Sequence, residues 1–468
     1  MATPNTHFGK DRIKEMLRDC HSIHFIGVGG IMMSSLAILS ARQGYAVSGS
    51  DRTLTALTDR VAAEGVRVTD RQCRENAADC DAAVYTVAIS PDNPEYLCAL
   101  ERGIPLISRA DYLGYLMTGY RNRIGIAGMH GKSTCTSMCA QIFMDAGADP
   151  TVLSGAEMAS MGGAYRIGAR EHFIFEACEY EDSFLDFNPS VAVLLNAEME
   201  HVDYFKSLAQ IRNSFAAYAS LVGENGYAVF NADDENLIAA MSQADGFRGK
   251  KITFGVQNTA ADWRATDISV TDGHPSFTVL YRGAPFVRIR LSVCGTHNIY
   301  NALAAVAVSA LCGIEKDAIA NGLAAFCGAK RRMEYKGTCN GAAVYDDYGH
   351  HPTEVRTTLD GARALGYQRL FCVFQSHTYS RTAELYDRFL HAFDSADRVI
   401  LTDIYAARET NTYGVTPQKL ASDIGEKASY GGSLDQIAQT LRQELCPGDL
   451  CVIMGAGDVY RLFGMLGL

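Results

Sequence analysis

Short apolar runs that stop at glycines or polar clusters recur along this chain, each followed by a stretch with helical spacing. In the first part, His24-Phe25-Ile26 runs into Gly27-Val28-Gly29-Gly30, and a small-residue helix follows through Leu36 and Leu39. A second run from Tyr45 ends at Asp51, and a third over residues 81–87 gives way to a loop marked by Pro91 and Pro94. Further on, apolar runs lie at residues 124–127, 173–175, 191–195 and 227–230, alternating with helix-like segments. Between Ile252 and Leu291 the pattern changes to short alternation, as in residues 277–281, which predicts a small antiparallel insert. Beyond Gly328 the earlier rhythm returns, with runs at residues 343–345, 370–374, 398–401 and 450–454. Strands alternating with helices predict parallel sheets. At 468 residues the chain is too long for one core. The expectation is α/β with three domains in series, over residues 1–113, 114–327 and 328–468.

The most informative joint is Ile124-Gly125-Ile126-Ala127-Gly128-Met129-His130-Gly131-Lys132-Ser133-Thr134. A strand ends in glycines, then Gly-Lys-Ser opens a helix. Glycines let backbone N–H groups turn towards phosphates, Lys132 reaches the β/γ oxygens, and Ser133 offers a hydroxyl to Mg2+. Ile126 stands where the strict pattern has glycine, so an ordinary glycine-rich turn is the plain alternative. The first part carries a dinucleotide-type βαβ layout, with Gly29 and Gly30 before the helix and Asp51 placed for a ribose. Met32 replaces the helix-packing glycine of that fingerprint, which favours another nucleotide-bearing ligand over NAD(P). Fold class is accordingly a Rossmann-like N-terminal domain, a P-loop ATPase-like central domain with a parallel sheet, and a Rossmann-like C-terminal domain.

Other polar clusters also fall where apolar runs end. Thr86 follows the third run. Glu176 follows residues 173–175, where a hard oxygen ligand for Mg2+ belongs; a solvated strand-end charge is the alternative. Asn196, Glu198, Glu200, His201 and Asp203 crowd one loop, as a metal or phosphate contact or as helix caps. Thr296, His297 and Asn298 precede an alanine-rich helix and could be no more than its cap. Lys330-Arg331-Arg332 is either a solvated face or charge for a transferring phosphoryl group. Asp346-Asp347-Tyr348-Gly349-His350-His351-Pro352-Thr353-Glu354, residues 377–382 and residues 403–409 complete the set. Adjacent histidines point apart, which speaks against zinc. All these clusters lie at the carboxyl edges of strands, where open α/β sheets bind ligands.

Composition narrows the classes. With 48% apolar and 20% charged residues the chain is that of a soluble globular protein. A net charge of −11 argues against nucleic-acid binding, and no apolar run is long enough for a membrane span. Fourteen cysteines without metal-ligand spacing, and a polar N-terminus without a signal-peptide core, fit a reducing cytoplasm.

Taken in order from His24 to Gly457, these motifs resemble the Mur ligases. The phosphate loop, residues 176–179, Asn196 with Glu198 and His201, His297-Asn298, Arg331-Arg332 and residues 346–354 carry the resemblance. Residues 24–30, 48–51 and 403–409 are most similar to the members that join L-alanine to UDP-N-acetylmuramate. The resemblance implies an ATP-dependent amide ligase of peptidoglycan precursor synthesis, acting through an acyl phosphate, with ATP and Mg2+. The domains would bind the UDP-sugar, ATP, and the amino acid, the last also closing over ATP. Gly128, His130, Gly131, Lys132, Ser133 and Thr134 would hold the phosphates, with Asn298, Asp347 and Arg332 at the rest of ATP. Ser133, Glu176 and His201 would bind metal, and Lys132, Glu176, His201 and Arg332 would be catalytic. Gly29, Gly30, Asp51 and Thr86 match the UDP-sugar side; Tyr348, His350 and Arg381 match the amino-acid side. Met32, Ser35, Met129, Glu200 and Thr378 depart from the family pattern. A relative adding a whole peptide, or a nucleotide-binding protein without turnover, are the alternatives.

Overall fold

The computed structural model describes residues 3–201, 204–407 and 409–468. Val202, Asp203 and Arg408, which belong to the sequence motifs, lie outside the described residues.

The first sheet has five strands in the order Arg67–Thr69, Ala46–Ser50, Ser22–Ile26, Ala82–Tyr85, Leu106–Ser108, all parallel. In register, Ile26, Ser50, Tyr85 and Ser108 form one row at the carboxyl edge. The central sheet has ten strands. Its middle (Lys250–Gly255, Tyr227–Asn231, Val191–Leu194, Asn122–Ala127, His172–Glu176, Thr151–Met158) is parallel. Val191–Leu194 is buried along its whole length, as expected for a strand covered by helices on both faces. Helices Lys132–Asp145 and His297–Leu311 cover one face, and Leu208–Ser220 packs beneath the other.

The segment expected to be a small antiparallel insert extends this sheet. Trp263–Thr271 pairs in parallel with Lys250–Gly255, and His274–Tyr281 and Ala284–Arg290 continue outward as antiparallel strands. Gly163–Arg166 is antiparallel at the opposite margin, so the central sheet is mixed. The alternating pattern of His274–Tyr281 reflects one buried and one solvated face, a signature that does not reveal which sheet a strand joins.

The third sheet runs Glu334–Cys339, Ala342–Asp347, Leu450–Met454, Leu370–Phe374, Arg398–Leu401, Ala428–Tyr430. Only the first pair is antiparallel.

One apolar cluster joins the first two sheets: it extends from Phe25, Val84 and Tyr112 through Phe173, Phe175 and Phe184 to Phe215 and Leu237. The third sheet has two clusters of its own. Helix Arg109–Leu116 leads out of the first sheet and lies against the turn Tyr180–Asp186 of the central domain. There Gly114 faces backbone: a Cβ at this position would stand 2.0 Å from the Asp186 carbonyl oxygen. Asn188 Nδ2 donates to the Gly114 carbonyl at 3.0 Å. Overpacking of such a contact costs about 1–3 kcal/mol. Gly114→Ala is therefore expected to lower stability by that amount in urea unfolding, without loss of secondary structure by circular dichroism.

Candidate active site

Strand Asn122–Ala127 ends at Gly128 (φ +150°), and Gly131 (φ +84°) precedes helix Lys132–Asp145. Both angles favour glycine, and both sites are also crowded: a Cβ on Gly131 would lie 2.5 Å from Asn301 Oδ1. Asn196 braces the loop from the neighbouring strand end. Its Oδ1 accepts from His130 N at 2.8 Å, and its Nδ2 donates to the His130 carbonyl at 2.9 Å.

Lys132 Nζ donates to Gly128 O at 2.5 Å, Met129 O at 3.2 Å and Glu179 Oε1 at 3.0 Å. Burial opposes its charge, but Glu179, with Cys178 and Glu176, outweighs that and raises the lysine's pKa. Glu179 itself is buried; burial resists its ionisation, while Lys132 and His201 hold its pKa low. His201 Nε2 lies 3.0 Å from Glu179 Oε1, with φ +51° at His201. On the other side of Lys132, Ser133 Oγ and the Gly155 N–H each donate to Glu176 Oε2 at 2.8 Å. Two hard oxygen donors thus meet at the start of the helix, a pairing that suits Mg2+. The expected set Ser133, Glu176 and His201 is brought together in two parts. Ser133 touches Glu176 directly, whereas His201 reaches the loop through Glu179.

A second cluster joins this loop to the third domain. His130 Nε2 lies 2.7 Å from Glu198 Oε1, and its Nδ1 lies 3.2 Å from Glu354 Oε1. Burial disfavours the imidazolium, but Glu354 and Glu198 together lift His130 to about 10. Glu198 falls to about 2: burial raises it, and His130, His351 and Arg388 more than compensate. Glu198 Oε2 accepts from Thr353 Oγ1 at 3.1 Å and pairs with Arg388 at 2.5 Å. His351 is fully buried, stacks at 4.7 Å on His130 and caps helix Pro352–Arg363 through the Thr353 N–H. Burial and the neighbouring His130 charge lower it to about 4, so it is neutral at pH 7. His130, Glu198 and His351 bring three potential metal-ligand atoms within 4.8 Å. The direct His130–Glu198 hydrogen bond and the N–H donated to His351 Nδ1 already engage these three side chains.

Arg381, matched to the amino-acid side, forks onto Glu200 at 2.7–2.8 Å and donates to His377 O at 2.7 Å. Glu200 therefore faces Arg381 and His351, away from the Lys132 ammonium. Tyr348 and His350 meet edge to face at 5.6 Å, and His350 meets His377 at 5.8 Å. Burial lowers the pKa of His350 despite nearby Glu354.

Between the second and third sheets lies a cavity of about 700 Å³. His130, Gly131, Thr134 and Asn298 line one side, Arg332 and Asp347 the other. Asn298 Nδ2 donates to Cys294 O at 2.7 Å, and its Oδ1 accepts from Asn301 at 3.0 Å. Asp347 is pushed up to about 6 by burial, against the pull of Arg332 and the N–H groups of Gly349 and Met333. Arg332 sits 5.4 Å over the Tyr348 ring and 3.9 Å from Glu354.

At the first sheet, Gly29 N donates to Asp51 Oδ2 at 2.9 Å, and Gly30 begins helix Ile31–Arg42. Thr86 packs on Gly27, where a Cβ would meet its methyl at 2.8 Å. Met32 lies against the core and Ser35 bonds back to Met32 O at 2.7 Å, so both departures are absorbed within the helix. Sequence reasoning gave no role to Glu179 and Glu354, and placed Glu198 only within a crowded loop, although each stands in a quoted motif.

The folded pKa of His130 exceeds its ordinary 6.5. Its contribution to stability is thus complete below pH 6.5 and is lost as pH rises through about 10. The ring is expected to remain an imidazolium at pH 8 by 15N chemical shift. Glu198→Gln, removing one counter-charge, is expected to lower that pKa by roughly 1–3.

Comparison with known proteins accounts for this arrangement. Three sequence profiles match: "Mur ligase family, catalytic domain" over residues 22–121, "Mur ligase middle domain" over 126–309, and "Mur ligase, glutamate ligase domain" over 331–457. A UDP-N-acetylmuramate–L-alanine ligase of Acetivibrio thermocellus is 43% identical over 444 residues, 94% of each chain. One from Clostridium novyi is 42% identical, covering 94% of this chain and 96% of the relative. Among solved structures, a UDP-N-acetylmuramate-alanine ligase from Thermotoga maritima superposes with TM-score 0.78 at 25% identity, covering 95% of this chain and 98% of that one. A murein peptide ligase from Psychrobacter arcticus gives 0.70 at 25% identity, with 96% and 99% covered. Three sheets in this order, a phosphate loop on the second and profile matches along nearly the whole chain have one explanation: the chain belongs to the Mur ligase family.

Proposed function

We propose that this protein is an ATP-dependent ligase that joins L-alanine to UDP-N-acetylmuramate, in the synthesis of a peptidoglycan precursor. The observation that carries the reading is the cavity bounded by the phosphate loop on one side and by Arg332 and Asp347 on the other. Its volume suits a nucleotide, and relatives above 40% identity bear the name of that activity.

In this reaction a lactyl carboxylate oxygen attacks the γ-phosphorus of ATP, and ADP leaves. The resulting acyl phosphate is attacked at its carbonyl carbon by the alanine amine. The tetrahedral intermediate collapses, phosphate departs, and the amine nitrogen loses a proton. Lys132 and the N-terminus of its helix oppose the charge on the γ-phosphate. Arg332, 5.4 Å over the Tyr348 ring, faces the same phosphate from the third domain. Asn298 and Asp347 serve the adenosine end. Gly29, Gly30, Asp51 and Thr86 hold the UDP-sugar. Mg2+, held by Ser133 and Glu176 with a second ion at His201, would supply charge neutralisation at the phosphates.

For the amino acid, Arg381 is the cation that receives the carboxylate, with Glu200 standing in for it in the present arrangement. His350 is kept neutral at pH 7 by burial, and its Nδ1 lies 3.1 Å from Tyr348 O. A ring that donates from Nδ1 leaves Nε2 to accept the amine proton.

Phosphate release from ATP and Mg2+ with UDP-N-acetylmuramate is expected to require L-alanine, with the amide product visible by mass. Release only with a short peptide would instead assign the chain to peptide addition. Lys132→Ala is expected to lose at least about 100-fold in turnover while keeping its circular dichroism spectrum. Near-normal turnover in that variant would overturn the assignment.

A further inference from the structure

The row formed by Ile26, Ser50, Tyr85 and Ser108 fixes the row that follows it along the chain: Gly27, Asp51, Thr86 and Arg109. The first three belong to the loops proposed to hold the UDP-sugar. Arg109 completes the same edge of the sheet and opens helix Arg109–Leu116, which carries it against the central domain. That helix packs on the turn Tyr180–Asp186, which immediately follows Cys178 and Glu179, the latter being the partner of Lys132.

Among the described residues, Arg109 makes no hydrogen bond, ion pair or ring contact. Other half-buried cations of the site differ: Lys132 has Glu179, Arg381 has Glu200, and Arg332 has Glu354. Burial disfavours the charge on Arg109, and Cys178 alone acts to favour it. An arginine kept from water without a counter-charge is costly. As a whole residue Arg109 is half-buried, and it stands beside Gly27, Asp51 and Thr86 at the carboxyl edge of the first sheet. Its planar fork matches a carboxylate or a phosphate, two oxygens at a time.

We propose that Arg109 binds an anionic group of the UDP-sugar substrate, and that it is a substrate-binding residue of this enzyme. The proposal rests on the function given above. UDP-N-acetylmuramate offers two anions, its diphosphate and its lactyl carboxylate, and the place of Arg109 beside the Cys178–Glu179 turn favours the carboxylate.

The test is calorimetric binding of UDP-N-acetylmuramate, UDP-N-acetylglucosamine and ATP to the wild type, Arg109→Gln and Arg109→Lys. UDP-N-acetylglucosamine has the same diphosphate and lacks the lactyl group. Arg109→Gln is expected to weaken UDP-N-acetylmuramate about 10- to 100-fold and leave ATP unchanged, with partial recovery in Arg109→Lys. Unchanged UDP-N-acetylglucosamine affinity would assign the carboxylate; an equal loss for both sugars would assign the diphosphate. Unchanged affinity for both sugars, or an equal loss for ATP, would overturn the proposal. Failure of the wild type to bind UDP-N-acetylmuramate would instead overturn the proposed function, and this contact with it.

Discussion

An ammonium enclosed by protein has to be neutralised, and at Lys132 this is achieved by one buried carboxylate. Glu179 pairs with the lysine and with His201 at once. The phosphate loop, the turn after strand His172–Glu176 and the loop after Val191–Leu194 therefore converge on a single charge. Glu176, three residues earlier, leaves the ion pair with Lys132 to Glu179 and turns to Ser133 and Gly155. Two carboxylates in one short motif thus take different work: one holds the cation in place, the other presents oxygens beside the helix start. This division follows from geometry, since a strand ends at Glu176 and the chain then turns.

The same logic of paired charges organises the approach of the third domain. Glu198 and Glu200 lie two residues apart, on either side of a bend at Met199. Glu198 takes His130, Thr353 and Arg388, and Glu200 takes Arg381 and His351. His130 is thereby shared between the glycine loop before helix Lys132–Asp145 and the helix that carries Glu354. The longer side chain of Glu200, where the family pattern has aspartate, spans to Arg381 across the domain interface.

Much of the architecture was legible because buried parallel strands are continuous apolar runs, as residues 191–194 and 450–454 illustrate. The glycines at 128 and 131 marked the phosphate loop for the conformational reason that they adopt. Other features had no sequence signature. Which of His350 and His351 is fully enclosed depends on the helix that His351 caps, and adjacent letters do not carry that information. Alternation over residues 274–281 reported a half-solvated strand without naming its sheet. Glu179 looked like any acidic residue after a strand, because its role depends on a lysine 47 positions earlier. Arg109 was illegible for the opposite reason: its distinction is the absence of a partner among the described residues, and only the fold reveals that.

The apolar cluster that runs unbroken from the first sheet into the central one has a mechanical consequence. Hydrophobic contact is insensitive to modest salt, whereas ion pairs near solvent are screened within about 8–10 Å at physiological ionic strength. The first two domains are cemented by the former, and the third meets them through Glu198, Glu200, His130 and their partners, and through a backbone approach of Gly361 to Gly295. Ionic strength therefore acts selectively on this molecule. Salt reaches the half-exposed Arg388–Glu198 pair, while the enclosed His351–Glu200 pair and the apolar joint between the first two sheets stay out of its reach.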